Sequence, residues 1–375
     1  MITAFEPATK QTSCAPSSAV LESHLPSLDG MRAISILLVL GAHFASTANR
    51  ATSYTEYLGP LGVFIFFVIS GLLITWLMIR EREATRSFSL RDFYVRRFLR
   101  ILPVFWLLIL TVSLLKSFHV IEIRWLDIFR AFTFTHNYPL TLRHPQCAIW
   151  LGHTWSLSLE EQFYLVWPSL FAVLPMRFLP RLAVILALSG PILRALDYIL
   201  LPSLRGFDAG GFESHLDILM TGCACAFLLD SPVWRERIRK IPAWPTLAAS
   251  ALFLAVAGPV LFFHLPRHSL ADITYTLVFP TLQAFAIALA LLVVVAGKQG
   301  WAFRVLNARI PTYIGKLSYS LYIWQQLFLV HRPMVSIFSL LGRLAGVYLA
   351  AFCSFNFIER PFLRLRSKFR HGVTV

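Results

Sequence analysis

Three groups of residues in this 375-residue chain combine types and spacings that could do chemistry. The first pairs Arg32 with His43. Eleven residues at ~100° each make three turns and about 20°, so on a helix the two share a face, roughly 16 Å apart along the axis. Imidazole titrates near neutrality and suits general-base work, and guanidinium suits an anion or a developing negative charge. The plain alternative is a snorkelling arginine with a hydrogen-bonded core histidine. The second group lies in Trp155-Ser156-Leu157-Ser158-Leu159-Glu160-Glu161-Gln162-Phe163-Tyr164. Glu160 and Glu161 point about 100° apart, and Glu160 shares a face with Tyr164. Either the carboxylates complement the N-terminal end of a helix dipole, or one does so while the other points into the bundle. The third group is basic: Arg91, Arg96, Arg97 and Arg100, with Arg96 and Arg100 one turn apart. Guanidinium forks grip phosphate oxygens in pairs, which suits a polyphosphate ligand, with anionic lipid headgroups as the alternative.

The composition identifies the solvent in which elements must hold these groups. Apolar residues make up 57% of the chain and charged ones 14%, against roughly 25% charged in a soluble domain. With 32 Phe, 10 Trp and a mean hydropathy of +0.65, too little polar surface remains to coat a water-facing particle. Apolar runs near residues 31–48, 60–80, 101–118, 155–175, 182–201, 213–230, 244–264, 272–296, 313–331 and 335–358 predict an all-α integral membrane protein, a polytopic bundle of about ten transmembrane helices. A further stretch, Leu126–Tyr138, carries Arg130 and His136 and is too short to cross, so it reads as re-entrant or interfacial.

The formal charge of +15 comes from 34 Lys and Arg against 19 Asp and Glu. In a soluble protein that surplus would suggest nucleic acid. On a ten-span reading with both termini cytoplasmic, 21 basic residues fall in one set of connections plus the C-terminal tail, and seven in the other. That bias sets the orientation and makes the charge a topology signal, so no nucleic-acid partner is expected. Residues 1–27, polar and without the apolar core of a signal peptide, read as a disordered cytoplasmic tail. Residues 28–365 read as the transmembrane domain and 366–375 as a basic cytoplasmic tail. Cys14, Cys147, Cys223, Cys225 and Cys353 have neither CxxC spacing nor histidines at ligand spacing, so no disulfide framework and no metal site is expected.

Six elements, in order, resemble the membrane-bound acyltransferase family 3, whose members include bacterial O-acetylases of surface glycans. They are Leu28-Asp29-Gly30-Met31-Arg32-Ala33 followed by His43; Gly62 to Leu73 with Phe66-Phe67-Val68-Ile69-Ser70-Gly71 at its centre; and Arg96-Arg97-Phe98-Leu99-Arg100-Ile101-Leu102-Pro103. Trp155 to Tyr164, Ser318-Tyr319-Ser320-Leu321-Tyr322-Ile323-Trp324 and Ile358-Glu359-Arg360-Pro361 complete the series. The resemblance runs from Leu28 to about Leu365. Departures fall at Phe64, where an acidic residue is frequent, at Gln325, where a histidine is common, and at His215, where an arginine often precedes the residue equivalent to Asp217.

The resemblance implies a bacterial inner-membrane O-acyltransferase moving an acyl group, acetyl in the first instance, from acyl-CoA to a hydroxyl of a cell-envelope or exported glycan such as lipopolysaccharide or peptidoglycan. No permanently bound cofactor is expected. Acyl-CoA is the donor substrate, and the hydroxyl acceptor and membrane lipid are the partners. His43 is then the expected general base, Glu160 the carboxylate that pairs with it or orients the sugar, and Arg32 a donor-phosphate or oxyanion contact. Arg96, Arg97 and Arg100 would hold the donor phosphates; Trp155, Ser158, Tyr164 and Tyr322 are expected acceptor contacts. Ser70 beside Gly71 reads as a helix-packing pair and Ser158 as a cap for the fourth span, each set against an acyl-carrying nucleophile. A small secondary metabolite such as a macrolide is the alternative acceptor. A glycan or lipid transporter and a non-catalytic partner in envelope assembly are the alternatives of other classes, and no inverted repeat supports the transporter.

Overall fold

Inside a bilayer the backbone has to satisfy its own hydrogen bonds, and long apolar runs do so as helices. The computed structural model describes residues 25–47, 53–138, 149–200, 211–257, 260, 269–297, 300–329 and 337–366, and is all-helical among them. The helices are α1 (Leu28–Thr47), α2 (Ser53–Thr85), α3 (Leu90–Ser117), α4 (Trp125–Phe132), α5 (Thr154–Val173), α6 (Leu179–Leu188), α7 (Gly190–Leu200) and α8 (Phe212–Asp230). After them come α9 (Pro232–Lys240), α10 (Ala243–Leu252), α11 (Leu270–Ala296), α12 (Trp301–Leu306), α13 (Arg309–Phe328), α14 (Ile337–Ser354) and α15 (Arg360–Arg366). A π-helical turn, Phe355–Glu359, joins the last two.

Six of these elements are long and apolar enough to cross a membrane, and the bent pairs α6–α7 (48°) and α9–α10 (82°) raise the number to eight if each counts as one span. That is fewer than the ten apolar runs suggest. The difference lies in α5 and α13, each 20 residues long. Both are interrupted by polar residues, among them Glu160 and Glu161 in α5 and Lys316 and Gln325 in α13. The stretch from Leu126 forms α4, only eight residues long, with Trp125, Leu126, Phe129 and Phe132 exposed and Asp127, Ile128 and Ala131 buried. Residues 1–24 and 367–375, the bulk of the two expected tails, lie outside the described residues. Ser27 is fixed: its backbone amide donates to Asn307 Oδ1 (3.0 Å), and Asn307 Nδ2 donates to its hydroxyl (2.7 Å).

The bundle is organised around α2, which packs along α1 on one side and α8 on the other. Val68 and Leu72 are fully buried there. The approach to α8 is close because two glycines meet opposing backbone: a Cβ on Gly71 would strike the Leu219 carbonyl, and one on Gly222 the Val68 carbonyl. Small residues at helix crossings are how membrane bundles gain van der Waals contact without a hydrophobic driving force. On the α1 side, the Ser35 hydroxyl donates to the Gly62 carbonyl. A buried polar hub ties α7, α8 and α11 together: both Arg194 terminal nitrogens reach Asp217 at 3.1 Å, Nε donates to the Leu277 carbonyl (2.8 Å), and Thr281 donates to Asp217 (2.5 Å). The arginine that serves Asp217 thus comes from the preceding helix rather than from position 215.

The crossing of α2 and α8 predicts an asymmetry among glycine substitutions. Gly222→Val should lower the melting temperature of the detergent-solubilised protein by several degrees, since overpacking costs roughly 1–3 kcal/mol. Gly41→Ala, where the new methyl meets nothing within 4 Å, should leave it unchanged or raise it, because alanine is the better helix former. Equal melting temperatures for Gly222→Val and the parent would contradict this packing.

Candidate active site

A cavity with about 760 Å³ of space, including its open mouth, lies between α1, α2, α3, α5 and α13. Five of the six sequence elements named above contribute to its wall. Arg32 enters from α1, Ser70 from α2, Arg97 and Arg100 from α3, Ser156, Glu160 and Tyr164 from α5, and Ser318, Tyr319 and Tyr322 from α13. Val63, Phe66, Phe67, Leu73 and Ile74 of α2 supply an apolar side.

Local sequence explains how each polar group arrives. Ser89 caps α3, its hydroxyl accepting from the Asp92 amide at 3.2 Å, so the helix begins at Leu90 and carries Arg97 and Arg100, three residues apart, onto the cavity face. Arg96 pairs with Glu81 (2.5 Å) and stays out of the wall. Among the described residues, Arg97 and Arg100 make no ion pair within 4 Å. Arg97 instead lies over the rings of Tyr164 (5.1 Å) and Phe93 (5.6 Å), in the field of Glu160 and Glu161. Such cation–π contacts retain a guanidinium without neutralising it.

Helix α5 starts at Thr154, with no acidic residue in its first turn. The dipole-end reading of Glu160 and Glu161 therefore does not hold: both lie beyond the first turn, and Glu160 faces the cavity. Ser158 is likewise no cap, because its hydroxyl donates to the Thr154 carbonyl of its own helix (3.0 Å). The Ser70-Gly71 pair divides in the same way. Successive residues point about 100° apart, so Gly71 meets α8 while Ser70 turns to the cavity and donates to Glu160 Oε1 at 2.7 Å. The Tyr164 hydroxyl donates to Ser70 Oγ at 3.3 Å.

At another part of the wall, the Tyr322 and Ser156 hydroxyls lie 2.6 Å apart, and both donate to the His153 carbonyl (3.0 and 3.1 Å). Tyr319 donates to the Ile101 carbonyl (2.6 Å), and Ser320 to Glu359 (2.8 Å). The sixth element, through Glu359, thereby braces the fifth.

The structure brings together Arg32, Arg97, Arg100, Glu160, Tyr164 and Tyr322, and places His43, Arg96, Trp155 and Ser158 outside the lining. His43 lies eleven residues along α1 from Arg32, its Nδ1 2.9 Å from the Val39 carbonyl. Trp155 packs against His215 (5.4 Å) and Phe67 (6.1 Å), and His215 in turn against Phe64 (5.9 Å). Two positions that depart from the family pattern, 64 and 215, are therefore in contact, as an aromatic pair where the pattern would set an acid near a base. The third departure, Gln325, is fully buried, with neither amide atom hydrogen-bonded.

Two buried histidines precede α5: His136, which the sequence marks only as an ionisable group in a segment too short to cross, and His153, which it does not single out. His136 Nδ1 lies 2.7 Å from the Thr154 hydroxyl, and the His153 ring stacks edge-on to Tyr322 at 5.6 Å. Burial pushes His136 down to about 4, partly opposed by Asp127, and His153 down to about 3. Their side chains carry no periodic signal. His153 connects to the site through its ring against Tyr322 and through its backbone carbonyl, on which two cavity hydroxyls converge.

An all-helical, multi-pass membrane protein with an internal cavity lined by guanidinium groups and a serine–carboxylate pair is the class this fold and site define. The family model described as an acyltransferase domain matches residues 25–357, and the chain belongs to that family, acyltransferase family 3. It is similar to the peptidoglycan O-acetyltransferase OatA of Listeria monocytogenes, 26% identical over 373 residues, covering 90% of this chain and 56% of the relative. It is also similar to the O-acetyltransferase OatA of Staphylococcus aureus, 29% identical over 364 residues, with 90% and 57% covered. A putative O-acetyltransferase of S. aureus strain COL is 28% identical over 360 residues with the same coverage. The chain spans somewhat more than half the length of these relatives. No solved structure matches it.

His136 provides a pH test of the segment that leads into α5. An unfolded histidine titrates near 6.5, whereas His136 in the fold holds at about 4. Between those values the unfolded chain binds the extra proton, so its contribution to stability is complete above about pH 6.5 and is lost as the pH falls toward 4. The melting temperature should drop on acidification from pH 7.5 to 5, and less so in His136→Asn. An identical drop in the variant would show that this histidine does not carry the effect.

Proposed function

We propose that this chain is an O-acyltransferase of the bacterial inner membrane that moves an acyl group, acetyl in the first instance, from cytoplasmic acyl-CoA to a hydroxyl of a cell-envelope glycan. One observation carries this reading: Arg97 and Arg100 face the cavity and, among the described residues, make no ion pair within 4 Å. Charges at membrane depth otherwise pair with one another or line a pathway, and guanidinium groups of this kind suit the phosphates of a nucleotide thioester. The apolar wall from Val63 to Ile74 suits the pantetheine arm and acyl chain. The similarity to O-acetyltransferases supports O-acetyl transfer, and peptidoglycan as the substrate named for the Listeria protein supports a glycan acceptor.

Orientation follows from charge. Adding α5 and α13 to the eight apolar candidates gives ten spans, their polar residues being accounted for by the cavity they line. The excess of 21 basic residues over seven supports both termini in the cytoplasm. The start of α3 is cytoplasmic in that arrangement, and Arg97 lies about 10 Å along the helix from it. Arg32, Arg97 and Arg100 hold the donor phosphates. His43, farther out along α1, takes the proton of the acceptor hydroxyl. Trp155 and Ser158 support the acceptor end of the site from behind the wall, and Tyr164 and Tyr322 contact substrate directly.

Base-released acyl groups on envelope glycans, compared among cells with the wild-type chain, His43→Ala or none, test the reading. One ester should be present with wild type alone; its persistence in His43→Ala at normal protein level would remove the general-base role. Arg97→Gln and Arg100→Gln should each raise the KM for acyl-CoA roughly tenfold to a hundredfold, since a charge-assisted hydrogen bond contributes about 1.5–3 kcal/mol. A fall in kcat at unchanged KM would place the phosphates elsewhere.

A further inference from the structure

The geometry points to Ser70 as an acyl-carrying nucleophile, a covalent relay that takes the acyl group from a thioester donor and hands it to the acceptor hydroxyl. This rests on the transferase reading above and adds to it a chemical step and a residue to bear it.

Ser70 is distinguished by where its hydrogen goes. Among the described hydroxyls of the cavity wall, Tyr319 donates to the Ile101 carbonyl, while Tyr322 and Ser156 donate to the His153 carbonyl. These are neutral acceptors that take no proton. Ser70 donates to a carboxylate oxygen, Glu160 Oε1, at 2.7 Å, and receives the Tyr164 hydroxyl on its own oxygen at 3.3 Å. A hydroxyl hydrogen-bonded to a base that is itself held by its surroundings is the arrangement of an activated nucleophile. Arg97 and Arg32 both act on Glu160 electrostatically, and both line the same cavity, so positive charge stands beside the serine and its base.

Packing does not account for the residue. The close approach of α2 to α8 is made by Gly71, and Ser70 projects from another face. Its depth suits a relay: in a helix running from Ser53 to Thr85, Ser70 lies ~25 Å from one end and ~22 Å from the other. A donor held by arginines toward the cytoplasm and a glycan hydroxyl arriving from outside would both meet it near the middle of the bilayer.

In the first half-reaction Ser70 Oγ attacks the thioester carbonyl and its proton passes to Glu160. The carbon–sulfur bond breaks, an Oγ–acyl ester forms, and the thiolate leaves beside the guanidinium groups and takes a proton from water. In the second half-reaction the acceptor oxygen attacks that ester while its proton returns to the solvent that protonated the thiolate. The Oγ–acyl bond breaks, and Oγ recovers the proton held by Glu160. The sum is thioester plus alcohol giving ester plus thiol, with no oxidant or reductant.

The test uses the purified full-length chain in lipid nanodiscs with acetyl-CoA labelled in the acetyl group. Without acceptor, wild type should acquire base-labile label on the peptide containing Ser70, and a polyol or glycan acceptor should chase it off. Ser70→Ala should carry none and lose transfer by about a thousandfold or more. Ser70→Cys, nearly isosteric and able to fold where other changes fail, should carry its acetyl as a thioester cleaved by neutral hydroxylamine, to which the serine ester is resistant. Label on a different residue overturns the relay, as does a chain that transfers acetyl yet is unlabelled at residue 70 in both wild type and Ser70→Cys. Failure of wild type to release CoA even with acceptor present would instead bring down the transferase reading on which the relay rests.

Discussion

Arg97 and Arg100 carry two positive charges into the helix bundle with no carboxylate among the described residues within ion-pairing distance, and the geometry around them follows from that imbalance. A charge removed from water has to be compensated by an opposite charge, by polar groups or by a ligand. Arg96, one residue earlier, is compensated by Glu81 at 2.5 Å and takes no part in the cavity. Arg97 has the face of Tyr164 and the more distant field of Glu160 and Glu161. Glu160 in turn bonds to Ser70, and Tyr164 to the same serine. One uncompensated cation thus connects α3, α5 and α2 through a short polar chain, open on the cavity side, where an anionic ligand would complete it.

Close helix packing holds that chain in place. The Gly71 and Gly222 contacts set the rotation of α2, and the rotation decides that Ser70 looks into the cavity. On the far side of α8 the Arg194–Asp217–Thr281 hub locks α7 and α11. That hub is a buried ion pair with its remaining hydrogen-bonding capacity met by Ser214 and Leu277 carbonyls, the condition under which such a pair is tolerated. The contact between Phe64 and His215 shows that two departures from the family pattern form one local change, an aromatic pair beside Trp155.

Much of this was legible in the residues. The apolar runs located the helices; Arg32, Arg97, Arg100, Glu160 and Tyr164 could be nominated from type and spacing, and Tyr322 from the family resemblance, before any contact was known. Helical periodicity could not say where a helix begins, so a capping reading of Glu160, Glu161 and Ser158 stayed open although all three sit beyond the first turn of α5. Nor could it separate Arg96 from Arg97, since the partner of Arg96 is Glu81 on another helix. Ser70 was masked by its neighbour: Gly71 is a strong packing signal, and only the rotation of α2 distinguishes the two. The partner of Asp217 was missed because Arg194 lies 23 residues away across a helix break.

Release of CoA thiol from acetyl-CoA by the purified chain in nanodiscs, over many turnovers and with and without a hydroxyl acceptor, tests the role of the arginine-lined cavity most directly. Acceptor-dependent release by wild type, lost when Arg97 and Arg100 are both replaced by Gln, is the predicted result. Absence of thiol release from an intact, folded wild-type chain with acceptor present would contradict acyl transfer from CoA at this site.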